Sequence, residues 1–120
     1  MNKKEAAERR GRRAEIIALW FLRLKGYRLL IHRFKVGAGE VDLIMRRGQT
    51  TVFVEVKARA TVDEAVISVT DHQAKRISNA ARVWTSRDPI AAKSFCRFDI
   101  VAVTPYLWPS QVKNAFPGDR

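Results

Sequence analysis

Apolar and polar residues change their period several times along this chain, and each change marks an element. Ala14, Ile17, Ala18, Phe21 and Leu24 recur at three- and four-residue steps, one stripe of an amphipathic helix that ends near Lys25 with Gly26 as its stop. Tyr27 to Val36 reads as a first strand. Alternation then sets in from about Glu40 to Ala58. It predicts Val41, Leu43 and Met45 on one face of a strand with Glu40 and Asp42 on the other. In the next strand Val52, Val54 and Val56 share a face, and Glu55 and Lys57 project from the opposite one. Between the two, Arg46-Arg47-Gly48-Gln49-Thr50 has a glycine where a hairpin turn wants one, so the strands should pair antiparallel.

The helical period returns at Thr70, where Thr70-x-x-Gln73 has capping-box spacing, and Ile77, Ala80, Ala81 and Trp84 form an apolar face up to about Ser86. Asp88-Pro89 should stop that helix. Phe98 to Thr104 is the last clear strand, and the tail from Pro105 to Arg120 is ordered only if Tyr106, Trp108 and Phe116 dock. A helix, three strands, a helix and a strand predict one α/β domain over residues 1–120, a sandwich around a mixed sheet. Residues 1–13, with six Lys and Arg, read as a basic, flexible N-terminus.

Antiparallel pairing would bring Asp42 near Glu55 and Lys57. Two carboxylates sharing a site attract a hard divalent cation, Mg²⁺ or Mn²⁺, and a lysine beside them can meet an anionic substrate. The ordinary alternative is an exposed ion pair between Glu55 and Lys57, worth little energetically. Against it stands the company these charges keep: the strands around them are Val, Phe, Ile and Leu, and charges in such segments are usually paired or metal-bound.

Asp42, twelve intervening residues and then Glu55-Val56-Lys57 form a pattern that resembles the PD-(D/E)xK nuclease motif, without its nominal proline. Over most of its length the chain resembles the YraN-type family of small bacterial proteins, themselves similar to archaeal Holliday junction resolvases. The stretches that carry the likeness are Gly11-x-x-Ala14-Glu15, Gly26-Tyr27, Gly39-Glu40-Val41-Asp42-Leu43-Ile44, Phe53-Val54-Glu55-Val56-Lys57-x-Arg59, Arg97-Phe98-Asp99-Ile100-Val101 and Asn114-Ala115-Phe116. Between Ala60 and Thr70 the family's Phe-Gly pair is missing, and Asp71-His72-Gln73 replaces its Pro-x-Lys. The resemblance implies a restriction-endonuclease-like sandwich, a central mixed sheet flanked by helices, and a metal-dependent endonuclease acting on DNA, branched DNA included. It also implies that Glu15 reaches the active site and binds or positions a metal. From its surroundings alone, Glu15 reads as a solvated helix glutamate pairing with Arg12 or Arg23.

In that scheme Asp42 and Glu55, with the Val56 carbonyl, hold the ion, and Lys57 orients a water or stabilises charge at the phosphorus. Arg59, two residues on, would contact a neighbouring phosphate. Arg33, Lys35, Arg46 and Arg47 are further phosphate contacts. Glu40 and Asp99 are weaker site candidates. His32 and His72 lack a ligand-spaced partner, so zinc is not supported.

Charge supports the substrate class independently. Lys and Arg number 23 against 12 acids, a formal charge of +11 in 120 residues. Such an excess favours a polyanionic partner and salt-sensitive association with nucleic acid. A non-catalytic nucleic-acid-binding protein that keeps the nuclease fold has the same charge and is the competing reading. A homodimer is a further candidate assembly. Ile16 to Leu22 is far short of the ~20 residues of a membrane span and makes a poor signal peptide. One cysteine, Cys96, cannot form an internal disulfide, which suits the cytoplasm; just before an apolar strand, it reads as a small core residue.

Overall fold

Asn2 caps the first helix by accepting the Glu5 N–H at 2.8 Å, and α1 runs from there over Lys3–Leu24. The computed structural model describes residues 1–116; the end of the sequence-defined tail lies outside the described residues. The basic stretch expected to be flexible is therefore the first three turns of α1, built from good helix formers. The buried stripe is also rotated from the one read from spacing. Ala14, Ala18 and Leu22 face the sheet, whereas Ile17 and Leu24 face solvent.

Three antiparallel strands follow: β1 (Arg28–Val36), β2 (Gly39–Arg47) and β3 (Thr50–Ala58). A two-residue turn joins β2 to β3, and Gly48 takes the positive φ of +60° that such a turn requires. Two helices then cross over: α2 (Val62–Ile67), capped by Thr61, and α3 (Asp71–Arg87), whose Thr70–Gln73 capping box is formed on both sides. Asp88-Pro89 ends α3 as expected and also starts α4 (Pro89–Lys93), because Asp88 accepts the Ile90 N–H and proline suits a first helical turn. β4 (Cys96–Val103) pairs parallel with β3, and β5 (Ser110–Val112) closes the far edge antiparallel.

The result is a five-stranded mixed sheet in the order β1-β2-β3-β4-β5 with helices on both faces. Leu43, Met45, Val52, Val54 and Val101 meet α1 on one face. Phe34, Val41, Ile44 and Phe53 meet Ile77, Ala80 and Ala81 of α3 on the other. In the tail, Phe116 docks 5.5 Å from the Phe98 ring, while Tyr106 and Trp108 stay exposed. Among the described residues no helix is long and apolar enough to cross a membrane.

These two faces expose a break that alternation did not predict. Val41 packs with Ile44 on the α3 face, three residues away, and apart from Leu43 and Met45. Its cross-strand partner Phe34 shares that face with Ile31, again three residues away. Both strands therefore slip phase by one residue at the same level, at Asp42 and at Arg33, whose φ is +57°. Just there β2 leaves β3, since Leu43↔Val54 is the last paired rung.

Gly39, at the start of β2, lets α3 sit directly on the strand: a Cβ there would lie 2.5 Å from the Ala80 backbone nitrogen. We expect Gly39→Ala to destabilise the fold by about 1–3 kcal/mol, because the clash is with backbone that no rotamer change relieves. Gly11→Ala, which meets nothing within 4 Å in the middle of α1, should be neutral or stabilising. Urea unfolding of the two variants checks the contrast.

Candidate active site

At the fork between β2 and β3 a backbone donor loses its ladder partner. Continuing the register would set Val56 opposite Val41; instead the Val56 N–H donates to Asp42 Oδ2 at 2.8 Å. A side-chain carboxylate thus replaces a strand carbonyl and is fixed between the strands. Glu55 projects from β3 into the same space, with Lys57 Nζ 3.5 Å from its Oε2. All three are largely buried, Glu55 and Lys57 with side chains only 12% and 11% exposed. Asp42 and Glu55 open into a cleft of about 170 Å³, completed by Glu40 from β2 and by Gln73, Arg76 and Ile77 from α3.

Burial is the main reason both carboxyl groups resist ionisation. Glu55 is pushed up to about 8, first by loss of solvent and then by the negative charge of Asp42, with Lys57 opposing. Asp42 is also raised by burial, although the Val56 N–H favours its charged form. The closeness of the two acids raises Glu55 further and ties its ionisation to that of Asp42, as like charges at close range must.

Glu15 arrives from the opposite layer. Its Oε1 meets His32 Nε2 at 2.7 Å and Arg33 Nε at 2.9 Å, so its partners lie on β1 rather than at Arg12 or Arg23 of its own helix. Its charge reaches Asp42 and disfavours ionisation there. His32, read from sequence as incidental, is one of the two groups that hold it.

The predicted phosphate contacts divide. Lys35 and Arg59 are exposed, and Arg33 keeps half its side chain in solvent while bonded to Glu15. Arg47 is exposed but lies over the Tyr27 ring at 4.4 Å, about 17 Å along the strand from Asp42 at ~3.4 Å per residue. Arg46 is a correction. It is buried, donates to Thr51 Oγ1 at 3.0 Å and forms an ion pair with Asp88, so no phosphate can reach it. Asp99 is structural: it is fully buried and accepts from Arg97, Gln111 and the Asn114 N–H. Glu40 pairs with Arg76 at 2.9 Å across the cleft. Cys96, expected in the core, is exposed at the start of β4.

Comparison with known proteins gives the family. The model of the uncharacterised protein family UPF0102 matches residues 14–103. The chain belongs to that family. It is 49% identical over 114 residues to a UPF0102 protein of Methylorubrum extorquens, covering 95% of this chain and 89% of that one. A UPF0102 protein of Chelativorans sp. is 49% identical over 113 residues, covering 94% and 91%. The UPF0102 protein mlr4633 of Mesorhizobium japonicum is 47% identical over 115 residues, covering 96% and 92%. The matched region spans Glu15, Asp42, Glu55 and Lys57.

Sequence reasoning missed two residues of this UPF0102 cleft, Gln73 and Arg76. Both are carried by α3, and only the packing of that helix on β2 through Gly39 brings them to Asp42. The position of Gln73 has a legible signal, since its side-chain oxygen accepts the Thr70 N–H in the capping box. Among the described residues no group of three His, Cys, Asp or Glu side chains could hold a metal ion. Two carboxylates nonetheless suit Mg²⁺ or Mn²⁺, which keep several waters and take their remaining oxygens from substrate phosphate. The donor set is the sign of fit: two buried acids beside one ammonium are short of positive charge, which a divalent cation would supply.

A pH dependence follows. Between the ordinary glutamate value of 4.5 and about 8 the native state keeps a proton on Glu55 that the unfolded chain has lost. Stability should therefore fall as pH rises through that window. Glu55→Gln has no such proton and should gain on the wild type by up to about 1.4 kcal/mol per pH unit. Urea unfolding at pH 5 and pH 8 in EDTA tests this; parallel curves for the two proteins would contradict the raised value.

Proposed function

We propose that this chain is a metal-dependent endonuclease of the PD-(D/E)xK type, with a restriction-endonuclease-like fold, acting on DNA. The observation that carries the reading is the buried Asp42–Glu55 pair lining one cleft beside Lys57 in a protein of charge +11. Burial without a full set of counter-charges costs stability, and a cation-binding role explains why two acids occupy the fork. Asp42 and Glu55 would hold Mg²⁺ or Mn²⁺, and the ion when bound would polarise a phosphate and make a bound water more acidic.

The chain's own side chains carry the rest. Asp42 is oriented by the Val56 N–H, so it meets an ion without losing rotamer freedom. Lys57, once Glu55 is engaged, is free to aim its ammonium at charge developing on the phosphoryl oxygens. Arg33, Lys35 and Arg59 add exposed positive charge that positions the backbone without reading bases. Arg76 faces the cleft from α3 and can exchange Glu40 for a phosphate oxygen.

A panel of labelled substrates (linear duplex, single strand, flap, four-way junction and RNA) incubated with Mg²⁺ or Mn²⁺ tests the proposal. Cleavage should appear on at least one DNA and vanish with EDTA. Lys57→Ala should cut it by about 10²-fold or more while weakening DNA binding by less than about threefold, because one ammonium acts mainly in the transition state. Lys113→Ala should change neither. If the wild type cleaves nothing, or Lys57→Ala cleaves as well as wild type, the binding-module reading takes its place.

A further inference from the structure

A cavity larger than the acidic cleft lies elsewhere on the chain. A groove of about 860 Å³ opens between α1, the end of β3 and the loop joining β4 to β5. Arg10 and Arg13 of α1 and Arg59 after β3 line it, together with Tyr106, Leu107 and Trp108 of the loop, and among the described residues no acid does. Tyr106 is fully exposed, Trp108 is 73% exposed and Leu107 is 74% exposed. Three consecutive large apolar side chains in water are unfavourable unless a ligand covers them.

The loop holds these rings rather than letting them collapse. Pro105 and Pro109 bracket it, each with a fixed φ and no N–H to donate, and Pro109 is buried. Tyr106 itself has a φ of +63°, uncommon for an aromatic residue, which strains the backbone where the ring is presented.

We infer that this groove binds an unpaired stretch of nucleic acid, with bases stacked on Trp108 and Tyr106 and phosphates held by Arg10, Arg13 and Arg59. Three guanidinium groups without an acid select a polyanion. Exposed π-faces select one whose bases are free, since a duplex hides its base faces. The position links the groove to the site: β3 runs from Glu55 and Lys57 to Ala58, and Arg59 donates its backbone N–H to Val103 at the matching end of β4. Ligands of α/β proteins gather at these carboxyl ends of parallel strands. Resting on the nuclease reading, the inference narrows the substrate to DNA with a single-stranded arm, such as a flap, over uninterrupted duplex.

The test separates the two readings by measuring binding without cleavage. Fluorescence anisotropy in EDTA compares a labelled single strand of thymidines with a labelled duplex, for wild type and for the Tyr106→Ala/Trp108→Ala double variant. Single-strand affinity should fall roughly tenfold or more, as loss of base stacking implies, and duplex affinity should stay within about twofold because it rests on phosphates. The Tyr106→Phe/Trp108→Phe variant should restore single-strand binding, which a merely structural defect would not explain. Undiminished single-strand affinity, or equal loss on both DNAs, overturns the groove. So does sedimentation with phosphatidylserine vesicles that depends on the two aromatics while DNA binding does not. Absence of cleavage by the wild type, with the aromatic effect intact, removes the nuclease reading and leaves the groove standing.

Discussion

One hydrogen bond organises this protein: the Val56 N–H donated to the carboxylate of Asp42. In an uninterrupted hairpin that donor would go to a strand carbonyl and the sheet would close. Taking it with a side chain holds β2 and β3 apart beyond Leu43 and Val54 and leaves a fork with an acid in it. Glu55, one residue back on β3, must then enter the same space. The pair is buried by the layers above and below, and the cost appears as two carboxyl groups that resist ionisation.

Elsewhere among the described residues the buried charges are matched by partners. Arg46 is paired with Asp88, which also accepts the Trp84 indole N–H at 3.1 Å and caps α4. Asp99 ties β4 to β5 and to the tail through Arg97, Gln111 and the Asn114 N–H. These networks leave no buried side-chain polar atom without a partner among the described residues. Structural ion pairs of this kind make a unique arrangement; the Asp42–Glu55 pair, with only Lys57 at 3.5 Å, is short of positive charge.

The hairpin, the capping box at Thr70 and the strand over Phe98–Thr104 were legible because each depends on neighbours in sequence. The juxtaposition of Asp42, Glu55 and Lys57 was legible for the same reason, from a two-residue period and a short spacing. What failed depended on tertiary geometry. Periodicity put Val41 with Leu43, because the phase slip at Asp42 comes from strand divergence rather than local preference. Arg46 read as a surface charge because nothing nearby in sequence announces Asp88, 42 residues on. Glu15's partners on β1 and the approach of Gln73 and Arg76 likewise come from layers packing across the sheet. Helix α1 began earlier than expected because charged residues with good helix propensity look the same in a tail and on an exposed helix.

The central claim, that the fork takes a divalent cation in exchange for the proton of Glu55, has a direct test. Calorimetric titration of Mn²⁺ at pH 7, repeated in two buffers of different ionisation enthalpy, reports both binding and proton release. The account predicts binding with release of close to one proton by the wild type, no binding by Asp42→Ala, and binding without proton release, if any, by Glu55→Gln. Equal Mn²⁺ affinity in wild type and Asp42→Ala, or wild-type binding with no proton released, would contradict it.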